Sequence, residues 1–302
     1  VKKMYQLKEN FKKMDKVGML FILPSLLIVV LLLIYPIFSS IYFSFTSKNL
    51  IKSDYDMVGF ENFKFVLSSK EFYEALWISV KWTVLSIMGQ VVVGFIAALT
   101  LNKLPKFSGL FRVLLIIPWA FPTIVIGFSW KWLLNDVSGV IPNLLTTIGI
   151  TSANVDFLSN NTLVFGTVVF INIWFGAPLF MVNILSALKT IPNEQYEAAV
   201  MDGANAWQSF TNITLRHIRS VIGLLIVLRT IWVFNNFELL FLITGGGPSG
   251  ATTTLPIYAY KTGWGLMQLG TASSITILLL IFLISVSFFY FKVLDKWESE
   301  DR

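Results

Sequence analysis

Apolar residues in this chain gather into long runs separated by short polar stretches, and the runs recur evenly from residue 19 to residue 291. About 20 apolar residues in a row suffice for a helix to cross the hydrocarbon core of a bilayer. The pattern predicts six such spans, at residues 18–45, 75–101, 110–134, 162–188, 221–243 and 271–293. A bilayer offers no water to backbone polar groups, so spans of this kind close their hydrogen bonds within helices. The predicted fold class is therefore all-α, a polytopic membrane protein. Pro36 is placed to kink the first span, and Pro118 and Pro122 to break or kink the third. Such prolines are tolerated where neighbouring helices or a cavity satisfy the freed groups.

One polar interruption, residues 189–220, is patterned beyond the needs of a connection. From residue 191 it reads IPNEQYEAAVMDGANAWQSFTNITLRHIRS. Asn193 is expected to cap a first short helix, with Glu194 and Glu197 in its early turns, where the helix dipole favours negative charge. Asp202-Gly203 is a turn signal, because glycine accepts the positive φ at which a helix ends. Trp207, Phe210 and Ile213 predict one face of a second helix, and Tyr196, Ala199 and Val200 a matching stripe on the first. Two short amphipathic helices at a glycine elbow make a knob for a partner's groove. The alternative is a pair lying flat on lipid. Helices of that kind usually carry a basic polar face, whereas Glu194, Glu197 and Asp202 make this one acidic.

Composition agrees. Charged residues are 13% of the chain and apolar ones 55%, against about 25% charged in soluble domains, and the mean hydropathy is +0.72. The evenly spaced runs predict one membrane domain, residues 18–293. The net charge of +6 does not signal nucleic acid, because the basic residues cluster at span ends, where a positive-inside topology places them. Six lysines against Glu9 and Asp15 put residues 1–17 on the cytoplasmic side. The turn at 102–106 with Arg112, the 189–220 loop with Lys189, Arg216 and Arg219, and the tail 294–302 fall on the same side. The slightly acidic stretch 46–74, the stretch 135–160 without Lys or Arg, and residues 244–270 with only Lys261 fall outside. The first apolar run is too long for the core of a signal peptide, and no small-residue cleavage site follows it. The absence of cysteine excludes disulfides and thiolate chemistry. A single histidine, His217, leaves little for metal or acid–base work, and no cofactor is expected.

Glu197-Ala198-Ala199, Gly203 and Ile213-Thr214-Leu215 together resemble the EAA loop of ATP-binding-cassette importer permeases, with Arg216 where that family usually has proline. Further stretches resemble its carbohydrate-uptake branch. These are the run from Arg112 through Pro118 to Pro122, then Asn172-Ile173-Trp174-Phe175-Gly176-Ala177-Pro178, Asn235-Asn236-Phe237, and the loop TGGGPSGATTTLPIYAY at 244–260. The resemblance implies that 189–220 docks on a separate ATPase through Glu197, Ala198, Ala199 and Gly203. It also implies a second homologous permease, two ATPase subunits, an extracellular solute-binding protein and a bacterial plasma membrane. Alternating access is the implied mechanism, with the glycine-rich loop helping to close the outer gate. A solute path is implied at Trp119, Asn172, Phe175, Gly176, Leu179, Arg229, Trp232, Val233 and Asn236. The nominal GxGxxG at Gly245, Gly247 and Gly250 is a decoy as a nucleotide motif: it follows a span rather than a strand, and Ala251 stands where a phosphate-reading lysine is required. The chain is not expected to hydrolyse ATP itself.

Spacing supports the path independently. Positions 229, 232, 233 and 236 follow i, i+3, i+4, i+7, as do 172, 175, 176 and 179, so each set shares a helical face. Asparagine offers donors and acceptors to hydroxyls, and an aromatic ring covers the apolar face of a pyranose. Helix packing is the plainer reading of any single aromatic, Trp119 included. Arg229 falls about nine residues into the predicted fifth span, roughly 13 Å deep at 1.5 Å per residue, where a cation costs at least about 2.5 kcal/mol. Two readings stay open for it: recognition of an anionic sugar such as a sialic or uronic acid, or a structural ion pair with the partner permease or snorkelling. Glu238, nine residues on, would lie on the opposite side of one continuous helix. A secondary transporter, the rival class, requires an ion-coupling carboxylate in the spans, and Glu238 is the candidate. An intramembrane enzyme requires a nucleophile–base pair, which one loop histidine does not supply.

Overall fold

The computed structural model describes residues 16–104 and 108–299. The basic segment 1–15, Pro105 and Lys106 of the basic turn, and residues 300–302 of the tail lie outside the described residues. Among the described residues the regular structure is helical, apart from an isolated bridge between Thr46 and Met57. In chain order the helices are α1 (Lys16–Val29), α2 (Tyr35–Ser44), α3 (Glu61–Ser68), α4 (Lys70–Lys103), α5 (Ser108–Ala120), α6 (Thr123–Leu133) and α7 (Val140–Thr147). There follow α8 (Val164–Leu188), α9 (Asn193–Met201), α10 (Ala206–Ser209), α11 (Leu215–Phe234), α12 (Glu238–Thr244), α13 (Leu255–Tyr260) and α14 (Leu269–Ser299).

The chain divides into two compact units, Val1–Ser68 with Thr262–Ile277, and Ser69–Lys261 with Leu278–Arg302. In the first unit a π-helical turn, Val30–Ile34, joins α1 to α2 without a break, and Pro36 follows directly after that turn. The end of α2 is held by Asn62, which donates to the carbonyls of Ser44 (2.9 Å) and Thr46 (2.8 Å).

The second unit is built on α4 and α8, which pack along each other. At 34 residues α4 is about 50 Å long, well beyond the roughly 30 Å hydrocarbon core. Ser69 starts it, its hydroxyl accepting the Phe72 N–H. Trp82, Ile171, Phe180 and Ile184 are fully buried in the core. Without a hydrophobic drive between helices in lipid, close approach depends on small residues, and Gly94 supplies it: a Cβ there would meet Phe180 Cβ at 2.6 Å and the Ala177 carbonyl at 2.8 Å.

Among the described residues, five helices are long and apolar enough to cross a membrane: Gly18–Ser44, Lys70–Lys103, Val164–Leu188, Ala206–Phe234 and Leu269–Val293. One expectation is met and another needs correction. The third span is broken, as its prolines predict: α5 and α6 meet at 93°. Pro122 causes the break, standing outside α6 at φ −57° and ψ 141°, whereas Pro118 is carried inside α5. The fifth span does not run from 221 to 243. Its helix begins at Ala206 and ends at Phe234, and α12 is a separate element after a break at 235–237. The broken halves α6 and α12 pack together, Gly127 letting Leu242 approach to 2.9 Å from where a Cβ would stand.

A Gly94→Val substitution should therefore wedge α4 from α8 and lower the thermal unfolding midpoint of the purified protein in detergent. Overpacking typically costs about 1–3 kcal/mol. Gly166→Ala on α8, where a Cβ meets nothing within 4 Å, should leave the midpoint in place.

Candidate functional site

Three helices of the second unit bring buried polar groups together. Gln90 on α4 is fully buried, as is Asn172 on α8, and Arg229 on α11 is 6% exposed. Gln90 Nε2 donates to the Asn172 side-chain oxygen at 2.7 Å and to its main-chain carbonyl at 3.0 Å. Gln90 Oε1 accepts from Arg229 Nε at 3.0 Å. The network exists because residue 176 has no side chain: a Cβ on Gly176 would overlap the Gln90 amide and lie 2.5 Å from an Arg229 terminal nitrogen. Arg229 Cζ also sits 5.9 Å from the centre of the Trp232 ring, a cation–π contact at the edge of its range. Arg229 has no ion pair among the described residues.

Of the residues expected to line a path, the structure thus joins Asn172, Gly176, Arg229 and Trp232. Trp232 is 54% exposed and Trp119 45%, while Phe175, Leu179 and Asn236 are half-buried. Val233 lies in the packed core rather than facing open space, and its carbonyl accepts the Trp82 indole N–H at 3.0 Å. Asn236 acts locally, its side-chain oxygen accepting the Leu239 N–H at 3.2 Å at the start of α12. A cavity of about 140 Å³ lies elsewhere, lined by residues including Gly94, Leu114, Pro118, Trp174 and Pro178. Depth and pairing need revision too. Arg229 stands five residues before the end of its helix at Phe234, and Glu238 belongs to a different helix, so helical-angle arithmetic between the two does not hold.

Sequence reasoning passed over Gln90. A signal was present, since Ser79, Thr83, Ser86 and Gln90 recur at i, i+4, i+7, i+11 and form one buried polar seam along α4. Ser79 Oγ accepts the Leu255 N–H at 2.8 Å at the start of α13. The buried side-chain atoms Thr83 Oγ1, Ser86 Oγ and Asn172 Nδ2 have no hydrogen-bond partner.

The 189–220 loop forms the expected elbow with altered caps. Pro192, not Asn193, stands at the N-cap of α9, in extended conformation and with no side-chain hydrogen bond. Proline suits a helix start because it lacks the N–H that would go unpaired there. Glu194 is in the first turn. Gly203 has φ +78° with open space around it, so glycine is required by the backbone and not by crowding. Past the elbow, Asn205 and Gln208 form a reciprocal capping box, at 2.9 Å and 2.8 Å. The second helix is not short: α10 passes through a π-helical turn, Phe210–Thr214, directly into α11. Arg216 allows this, where a proline would remove a backbone donor and crowd the preceding turn. The Tyr196 and Thr214 hydroxyls, 2.8 Å apart, tie the two arms. Glu194, Glu197, Ala198, Val200, Met201 and Trp207 are exposed, and Ala199 is half-buried. An exposed face of carboxylates beside large apolar groups is suited to docking and poor as a resting surface.

The glycine-rich loop follows α12, a helix, and fills itself. Thr253 Oγ1 donates to the Gly246 carbonyl at 2.8 Å, and Thr252 Oγ1 to that of Gly247 at 2.9 Å. Lys261 Nζ reaches Thr253 Oγ1 at 3.4 Å, and partial burial lowers its pKa from the ordinary lysine value.

A multi-pass helical protein with broken spans, a polar network between its helices and an exposed elbow feeding one span has the make-up of a transporter's membrane subunit. The chain belongs to the family of binding-protein-dependent transport system inner membrane components, whose family model matches residues 90–299. Among its relatives, the trehalose/maltose transport system permease protein MalF of Thermococcus litoralis is 32% identical over 278 residues, 92% of this chain and 93% of that protein. The diacetylchitobiose uptake system permease protein DasB of Streptomyces coelicolor is 31% identical over 287 residues, 93% and 88% of the two chains. The fold matches a chain in the crystal structure of a bacterial ABC transporter involved in the import of the acidic polysaccharide alginate. The TM-score is 0.81, at 22% identity, over 96% of this chain and 99% of that one. Family membership sets aside the secondary transporter.

Gly176→Ala should break the Gln90–Arg229 contact. The purified protein is expected to lose stability by the amount typical of core overpacking, about 1–3 kcal/mol, read as a lower unfolding midpoint in detergent.

Proposed function

We propose that this chain is the carbohydrate-translocating permease of an ATP-binding-cassette importer. It works with a second permease, two ATPase subunits and an external solute-binding protein. The observation that carries the reading is the 192–220 elbow. It presents Glu197, Met201 and Trp207 to a partner, and it continues as one helix into α11, which holds Arg229. The carbohydrate part is supported by the similarity to the trehalose/maltose and diacetylchitobiose permeases along nearly the whole chain. The orientation follows the lysine and arginine bias: residues 1–17, the elbow and the tail 294–302 cytoplasmic, the glycine-rich loop outside.

The finer reading is an anionic carbohydrate, such as a sialic or uronic acid. It rests on Arg229, a guanidinium set among helices with no carboxylate paired to it among the described residues. A carboxylate forms two parallel bonds with such a fork, and the exposed Trp232 ring beside it suits the apolar face of a sugar. Trp119, Phe175, Leu179 and Asn236 complete the proposed path. Val233 serves it from behind, through the Trp82 bond.

Two experiments test these readings in the importer reconstituted with its partners. Glu197→Lys reverses a charge on the elbow and should abolish ATP-driven uptake while the protein stays folded in the membrane. Wild-type uptake by a Glu197→Lys, Gly203→Val double variant would refute docking at the elbow. Arg229→Met should abolish uptake of an acidic sugar while the complex still co-purifies with its ATPase. A transported solute that proves neutral would refute the anionic reading and leave the permease assignment standing.

A further inference from the structure

The buried network contains an acceptor shortage. Gln90 is fully engaged: its amide nitrogen donates both to Asn172 Oδ1 and to the Asn172 carbonyl, and its oxygen accepts from Arg229. These partners fix the amide's orientation, because a flipped Gln90 would set its nitrogen against the guanidinium and its oxygen against two other oxygens. Asn172, whose oxygen is thereby turned to Gln90, is left with its nitrogen buried and without a partner. Arg229 has five N–H donors, and the structure gives the guanidinium a single hydrogen bond, through Nε. A buried donor is normally paired, so Asn172 Nδ2 calls for an oxygen acceptor, and the Arg229 terminal nitrogens beside it make no hydrogen bond that would compete for that group.

Gln90 also has a charge property that a packing account does not need. It grips Arg229 with a neutral oxygen. A carboxylate in the same place would also accept from the guanidinium, at the cost of setting its second oxygen against the Asn172 carbonyl, and would cancel the arginine's charge, in a low-dielectric setting where that cancellation is strong. The amide anchors the cation by Nε and leaves the charge and the terminal nitrogens free.

We propose that Gln90 sets the charge selectivity of the path: it positions Arg229 and Asn172 as donors while keeping the arginine's positive charge available to a carboxylate of the solute. Gln90 is a positioning residue here, acting through Arg229. The inference rests on the anionic-carbohydrate reading above and extends it to a residue on a different helix, one that no similarity assigned to the path.

The test uses the complete importer in liposomes with saturating binding protein. Uptake is compared for a matched pair of probes, a uronic-acid disaccharide and its neutral hexose counterpart, each normalised to its affinity for the binding protein. Wild type should prefer the uronide. Gln90→Glu, nearly identical in shape, should lower that preference at least about tenfold by pairing with Arg229, a step of about 1.4 kcal/mol in selectivity. Should Gln90→Glu fail to fold, Gln90→Met decides the matter: with the anchor lost and the charge kept, the half-saturation concentration should rise for the uronide and not for the neutral sugar. A structural role alone would lower uptake of both probes alike, so an unchanged ratio in Gln90→Glu, or equal rises in Gln90→Met, would overturn the proposal. A wild type with no preference for the uronide would defeat the anionic reading and this inference together. Preference in wild type that persists in Gln90→Glu defeats this inference alone.

Discussion

A guanidinium held between helices of a membrane protein is the constraint from which the rest of the second unit follows. An arginine withdrawn from water among packed helices is tolerated where protein groups replace the water. For Arg229 the replacement is one amide oxygen, Gln90 Oε1 at 3.0 Å. Reaching it demands that α11, α4 and α8 converge within side-chain length, and Gly176 meets the demand by having no Cβ where the two side chains pass. A hydrogen bond to a charged group contributes about 1.5–3 kcal/mol. The close packing of α4 on α8 at Gly94 is thus the frame that holds the polar bond in register.

The breaks in the third and fifth spans are a second consequence of backbone chemistry in lipid. Each break frees carbonyl and amide groups that a bilayer cannot satisfy, so each must be closed locally. At the end of α11, Asn235 Nδ2 donates to the Ile231 carbonyl at 3.0 Å, and the Asn236 side chain accepts the Leu239 N–H. The adjacent asparagines therefore finish one helix and begin the next. Pro122 solves the same problem at the other break by removing a donor. The paired halves α6 and α12 then lie side by side at Gly127 and Leu242.

Sequence pattern revealed the apolar runs, the elbow glycine and the proline break because each leaves a local trace: a window of hydropathy, a positive-φ residue, a missing donor. It misplaced the fifth span because hydropathy stays high through Phe237, Leu239 and Leu240, and a window cannot see a helix end inside an apolar run. Asparagine's side chain can end a helix as readily as it can bind a hydroxyl, and only the second role of Asn236 shows in its spacing. The capping box at Asn205 and Gln208 was legible in the N-x-x-Q spacing. Asn193 was a wrong choice of cap, since Pro192 already supplies the extended entry to α9. Gln90 was the largest omission. A lone amide in an apolar run carries no motif, and its meaning depends on Asn172 and Arg229, 82 and 139 residues away in sequence.

The continuity of Ala206–Phe234 ties the two halves of the site mechanically. This helix is 29 residues long, about 43 Å at 1.5 Å per residue, with Trp207 in its first turn and Arg229 near its last. A rigid helix cannot move at one end alone, so a displacement imposed on the elbow reaches the guanidinium unless the helix yields between them. The irregular segment along it is the π-helical turn Phe210–Thr214, and π turns often mark functional positions. That turn is braced from two sides, by the Tyr196–Thr214 hydroxyl bond to α9 and by Phe210 against Phe95 on α4 at 6.0 Å between ring centres. The brace to α9 makes both arms of the elbow move as a unit. The brace to α4 sets that motion against the helix that carries Gln90. Relative movement of α4 and α11 is therefore what a load on the elbow would produce, and the Gln90–Arg229 bond, together with the Trp82–Val233 bond, spans those two helices.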